Sequence, residues 1–175
     1  MSEGQQHDEG SIERLVQGYR RMMERLKAAI EEAGEEAKPT LEENLRRAQE
    51  KAVELGELTR EEAEKVAGYL RRDLEDAAHY LEDTGSELAQ WLRFDLELIE
   101  DRLLDMLLTV ADRTRLELAE FERQMQRAAS YHTGEITGPG VLRCTTCGEE
   151  LHFREPGHIP PCPRCHGTEF QRVSA

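Results

Sequence analysis

All four cysteines of the chain lie in one short stretch, CTTCGEELHFREPGHIPPCPRC, residues 144–165, and their spacing constrains the fold more than any other feature. Cys144 and Cys147 form one CxxC pair and Cys162 and Cys165 another, with 14 residues between the pairs. Two such pairs make two turns whose thiolates converge on one tetrahedral ion, the geometry of a zinc ribbon. The expected ligands are Cys144, Cys147, Cys162 and Cys165, and the expected cofactor is one Zn2+ per chain, with iron a weaker alternative. A pair of reversible disulfides is the competing reading of the same cysteines.

The turn residues fit a metal site. Gly148 follows the first pair and permits a left-handed backbone, and Pro163 stiffens the second turn. In the second turn His166-Gly167 stands where a glycine more often follows the last cysteine directly. Val141, Leu142, Leu151, Phe153, Ile159, Phe170 and Val173 are the candidates for a miniature apolar core. So small a core does not fold by burial alone, so the metal is expected to be required. His132, His152, His158 and His166 lie nearby, but four thiolates already complete the shell. A closed four-thiolate shell leaves no position for water or substrate, which disfavours metal-assisted hydrolysis.

The segment ahead of the cysteines is of another kind. Of a net charge of −14, the region from Tyr131 onward carries −1, which leaves −13 on residues 1–130. A surface so acidic repels phosphate backbones, so nucleic-acid contact would be confined to Arg143, Arg154, Arg164 and Arg172 in the tail. Apolar spacing of three and four recurs along this segment. From Ser11 the stripe Ile12, Leu15, Val16, Tyr19, Met22, Met23, Leu26, Ala29, Ile30 and Ala33 marks a first helix. Thr40 with Glu43 forms a capping box for a second, expected to reach about Leu55 with Leu41, Leu45, Ala48, Ala52 and Leu55 inward. Gly56 breaks it.

Thr59 with Glu62 opens a third helix on Ala63, Val66, Ala67, Leu70, Leu74, Ala77 and Leu81. A last helix is expected from about Ser86 to Ser130, paired with its predecessor as an extended hairpin or coiled coil. The arginine pairs Arg20-Arg21, Arg46-Arg47 and Arg71-Arg72 read as solvated partners of neighbouring glutamates.

The expected architecture is therefore mainly α. A flexible N-terminus over 1–10 precedes an acidic, coiled-coil-like helical domain over 11–130, and a small β zinc ribbon over 131–175 follows. The opening residues lack the basic and apolar regions of a secretory signal, and the most apolar run, LLDMLLTV at 103–110, is too short to span a bilayer. The expected location is the cytoplasm.

Three stretches carry a family resemblance: GELTREE…LRRDLE at 56–75, YHTGEITGPGVLRC at 131–144, and the two CxxC pairs running on to FQR at Arg172. In these the chain resembles the bacterial zinc ribbon-containing protein family (YbeL-like) over roughly residues 10–172. The resemblance implies a helical N-terminal region, a ribbon, zinc binding and no assigned activity. Tyr131, His132, Gly134 and Glu135 match the joining segment, read as a turn that docks the ribbon on a helix end or as a binding surface.

No nucleophile–base pair and no phosphate-binding glycine loop is present, so no catalytic or further cofactor-binding residue is expected and the chain does not read as an enzyme. A non-enzymatic zinc-binding adaptor is the leading expectation, with a protein partner and helix-mediated homo-oligomers. A ribbon-borne nucleic-acid factor is an alternative, and a rubredoxin-like iron redox protein a weaker one. A di-iron helical bundle of the rubrerythrin kind needs Glu-x-x-His pairs; here His79 follows Asp76 at that spacing and has no second histidine to match it.

Overall fold

The computed structural model describes residues 3–32, 40–84, 106, 109–111 and 130–173. Three helices come first: α1 (Glu3–Glu32), α2 (Leu41–Glu54) and α3 (Arg60–Thr84). α1 starts well before Ser11, so residues 3–10, read from sequence as a flexible end, continue the helix. Each of the three helices packs on the other two. Their apolar stripes meet in one core that includes Tyr19, Met22, Met23 and Leu26 of α1, Leu45 and Ala52 of α2, and Leu70 and Leu74 of α3.

The local signals that start and stop these helices are visible as hydrogen bonds. At α2 the Glu43 N–H donates to Thr40 Oγ1 and the Thr40 N–H donates to a Glu43 carboxylate oxygen, both at 3.2 Å. Thr59 and Glu62 repeat the arrangement ahead of α3, at 2.8 and 3.2 Å. Between α2 and α3 the chain reverses at Gly56, whose φ of 67° lies in the left-handed region.

Leu55, expected inward, is 55% exposed. It caps the end of α2, and the reversal carries it away from the stripe. The inward position passes to Leu58, which is buried against the bare backbone of Gly18.

The long helix expected over 86–130 lies outside the described residues except at Met106 and 109–111, which are helical. Met106, Val110 and Ala111 are buried in the same core as α1–α3.

Six short strands make up the remainder: β1 (Ser130–His132), β2 (Ile136–Thr137), β3 (Gly140–Cys144), β4 (Glu150–Phe153), β5 (Gly157–His158) and β6 (Glu169–Arg172). Four form an antiparallel sheet in the order β1-β6-β3-β4, and β2 pairs with β5 separately. The late strand β6 thus lies inside the sheet, opposite Tyr131 through Phe170 on one side and opposite Cys144 through the same residue on the other. Tyr131, Leu142, Cys144, Ile159, Cys162 and Phe170 form the buried core of this small unit. Ile136, on β2, joins the helical core instead. The β2–β5 arm rests on α1 and α3.

Candidate metal centre and its seat on the helices

The two CxxC turns have the same backbone. In the first, the Cys144 N–H donates to the Glu149 carbonyl at 2.8 Å and the Gly148 N–H donates to the Cys144 carbonyl at 3.0 Å. In the second, the Cys162 N–H donates to the Gly167 carbonyl and the His166 N–H to the Cys162 carbonyl, both at 2.9 Å. Gly148 has φ 76°, and its counterpart His166 has φ 59°. The shifted glycine of the sequence is thereby explained. His166 itself takes the left-handed conformation, while Gly167 leaves space: a Cβ there would stand 3.1 Å from Cys144 Sγ and 3.2 Å from Cys165 Sγ.

All four thiols are free, and their sulfurs lie within 4.8 Å of one another. Cys144 and Cys165 Sγ are 3.6 Å apart, and Cys147 and Cys162 Sγ 3.5 Å. Bonds of about 2.3 Å to a central zinc would put tetrahedral sulfurs roughly 3.8 Å apart, so the tetrad needs little adjustment to hold the ion. A disulfide needs about 2.0 Å, far shorter than either separation. Among the described residues this is the sole cluster of metal-ligating side chains, and none of His132, His152, His158 or His166 joins it.

Crowding makes the thiols of Cys144 and Cys165 unequal as acids. For Cys144, burial resists ionisation, but the N–H groups of Cys147 and Thr146 and the neighbouring thiols prevail and lower its pKa to about 6. For Cys165, the Gly167 N–H favours the thiolate, yet hydrogen bonding with Cys147 and Cys144, together with burial, pushes it up to about 12. A divalent cation held by Cys144, Cys147, Cys162 and Cys165 would take all four as thiolates.

The tetrad is seated on the helices by a buried polar network. At its centre is Asp73 of α3, 1% exposed. Its Oδ2 accepts from the Tyr19 hydroxyl at 2.7 Å and the Gly138 N–H at 2.6 Å; its Oδ1 accepts from Arg72 at 3.3 Å and Arg172 at 3.4 Å. Arg172, on β6, also reaches the Thr137 hydroxyl and the Pro139 carbonyl, both at 2.9 Å, and pairs with Asp76 Oδ2 at 2.8 Å. The Tyr131 hydroxyl accepts from Arg172 Nε at 3.0 Å and donates to Asp76 at 3.1 Å. Arg72 stacks 3.9 Å from the Tyr131 ring centroid, pairs with Glu135 and donates to the Ile136 carbonyl at 2.9 Å. Burial raises the pKa of the Tyr19 and Tyr131 hydroxyls and, against the pull of Arg172, that of Asp76.

Two glycines of the joining segment make this seat. A Cβ on Gly138 would stand 2.7 Å from the Tyr19 hydroxyl, and one on Gly140, whose φ is 139°, would collide with Arg172. The docking role read for Tyr131 and Glu135 is therefore seen in contacts.

Two arginine readings change. Arg72, expected to be solvated, and Arg172, expected as a phosphate contact, are both taken up in the network. Arg143 and Arg164 each face a glutamate, Glu150 at 2.8 Å and Glu149 at 3.8 Å. Arg46, by contrast, makes the expected i,i+4 pair with Glu50. The sequence did contain one overlooked signal: Asp73 lies between Leu70 and Ala77 on the apolar face of α3, where a carboxylate requires a partner. The Asp76–His79 spacing weighed for iron leads elsewhere, since Asp76 is held by Arg172 and Tyr131, and the His79 side chain lies outside the described residues.

Comparison with known proteins agrees with this geometry. A family model described as a zinc-ribbon containing domain matches residues 28–174. The Uncharacterized protein YbeL of Escherichia coli strain K12 is 32% identical over 77 residues, as are its namesakes from strains O6:H1 and O157:H7. The alignment takes in 44% of this chain and 48% of each relative, so the match spans about half the length of these curated relatives. No solved structure matches the chain. With two equivalent CxxC turns, a four-sulfur cluster and a family match that takes in the ribbon together with α2 and α3, the chain belongs to the zinc-ribbon containing domain family.

Proposed function

We propose that the chain is a non-enzymatic zinc-binding protein of the cytoplasm, in which Cys144, Cys147, Cys162 and Cys165 hold one zinc ion and the helical region serves assembly and protein contacts as an adaptor. The observation that carries this reading is the closed tetrad: four sulfurs within 4.8 Å of one another supply a full tetrahedral shell. When bound, the ion supplies cross-linking of the two CxxC turns. The protein's own part is to aim the thiols, through the paired backbone turns, and to seat the ribbon on α3. No helix among the described residues is long and apolar enough to cross a membrane, which agrees with a role in solution. A nucleic-acid role draws less support, because Arg172 is committed to Asp73 and Asp76.

The test has two stages. Metal analysis of the purified protein is expected to return one zinc per chain; iron in its place would favour the redox alternative. Crosslinking and pull-down from native cells, with Cys162→Ser/Cys165→Ser alongside, is then expected to recover a specific protein with the wild type. A profile with no specific protein in either sample would count against the adaptor reading.

A further inference from the structure

The geometry points to a latch that couples metal occupancy of the ribbon to the stability of the helices, with Arg172 as the bolt and Asp73 and Asp76 as its seat. This rests on the reading that the four-cysteine cluster holds a metal. Three observations carry it further.

The first is that bolt and metal site share one pair of strands. Cys144 stands opposite Phe170, and Leu142 stands opposite Arg172, on the β3–β6 ladder. Phe170 is packed with Cys144 and Cys162 in the ribbon core. Whatever frees the thiols from one another therefore loosens the strand that carries Arg172.

The second is that the ribbon cannot hold this strand by burial alone. Its buried core is six side chains, two of them cysteines. Units of that size depend on a metal or another staple for their fold.

The third is what the helices lose if β6 withdraws. Asp73 is 1% exposed, and two of its partners, the Arg172 guanidinium and the Gly138 N–H, come from the ribbon. Asp76 draws Arg172 and the Tyr131 hydroxyl from the same source. Undocking leaves α3 with a carboxylate on its apolar face, whose remaining partners among the described residues are Tyr19 and Arg72. The helices then lose the ribbon's hydrogen bonds to Asp73 and Asp76, so the cost of undocking falls on α3 as well as on the tail. By linkage the effect is reciprocal: helices that cannot receive Arg172 must weaken the ribbon's hold on its metal by the same factor.

The test uses the full chain, with Zn2+ as the ligand. Zinc affinity is measured by competition with a chromophoric chelator for the wild type, Asp73→Asn, Arg172→Met and Thr40→Ala. Helix melting is followed by far-ultraviolet circular dichroism with and without the metal. Asp73→Asn, a change in α3, is expected to lower zinc affinity about tenfold. Removing zinc is expected to lower the helical melting midpoint of the wild type and to have little effect on that of Arg172→Met, which leaves the helix sequence intact should Asp73→Asn fail to fold. Thr40→Ala weakens the helices at the α2 cap and is expected to leave zinc affinity unchanged.

Equal zinc affinity across wild type, Asp73→Asn and Arg172→Met would overturn the latch, and so would a loss in Thr40→Ala as large as that in Asp73→Asn. A wild-type midpoint indifferent to zinc would do the same. A wild type that takes up no zinc would overturn the metal reading together with the latch.

Discussion

A methyl group at position 167 would face two of the four sulfurs at 3.1 and 3.2 Å, closer than a carbon and a sulfur sit at ease. Gly167→Ala is therefore expected to reduce zinc affinity while leaving the helices folded, which a chelator competition would register. The neighbouring His166 carries the left-handed backbone instead, at a conformational cost of about 1–2 kcal/mol for a residue with a Cβ. His166→Gly removes that strain at some cost in unfolded-chain entropy, for a net gain of up to about 1 kcal/mol in denaturant unfolding of the zinc-loaded protein. Deeper in, Tyr131→Phe deletes a hydroxyl that both accepts from Arg172 and donates to Asp76, and a loss of about 1–3 kcal/mol is expected on thermal or urea unfolding. These residues differ in how plainly the sequence announced them. The clustering of the four cysteines was legible because they come as two short, local pairs whose spacing brings two turns together. Asp73 was less so: its position among Leu70, Leu74 and Ala77 showed that a partner was needed, but nothing local could say that the partner was Arg172, 99 residues on.

Helix boundaries and stripes were readable where local chemistry decides them, as at the two capping boxes. Thr40→Ala removes the cap of α2 and is expected to cost about 1 kcal/mol of helical stability. The reversal between α2 and α3 was only half legible: Gly56 signalled the break, but the exchange of Leu55 for Leu58 depends on Gly18 of another helix. A Cβ on Gly18 would stand 2.7 Å from a Leu58 methyl, so Gly18→Ala overpacks the α1 contact and is expected to cost about 1–3 kcal/mol. The same turn carries Glu57, whose pKa is lowered by its hydrogen bond from Arg25 and by Arg21, against the opposing effect of burial. A carboxylate with a folded pKa below the unfolded value of 4.5 stabilises the fold fully above that value and loses the contribution as pH falls through the folded one. Between about pH 5 and pH 3 the wild type is therefore expected to lose more stability than Glu57→Gln, as read from urea unfolding across that range.

At the scale of the whole molecule, the helical unit and the ribbon are built differently, on an apolar core on one side and on a four-cysteine cluster with a six-residue core on the other. Chelation is accordingly expected to abolish the sheet, seen as loss of slow-exchanging amides in β3 and β6, while α2 and the first half of α3 stay protected. Acidification is expected to weaken zinc binding as well, since protons compete for the thiolates. The sequence foretold two parts, but not how completely one is built into the other, because the residues that join them are spread over α1, α3, the joining segment and β6. That spread matters while the chain is still being made. Asp73 leaves the ribosome 99 residues ahead of Arg172, which at about 5–20 residues per second is an interval on the order of 5–20 seconds. Throughout it α3 carries an acid with no ribbon to answer it, and β1 and β3, once made, lack the strand that belongs between them. The nascent chain is thus expected to stay open to proteases and holding chaperones until β6 emerges, and to close only then.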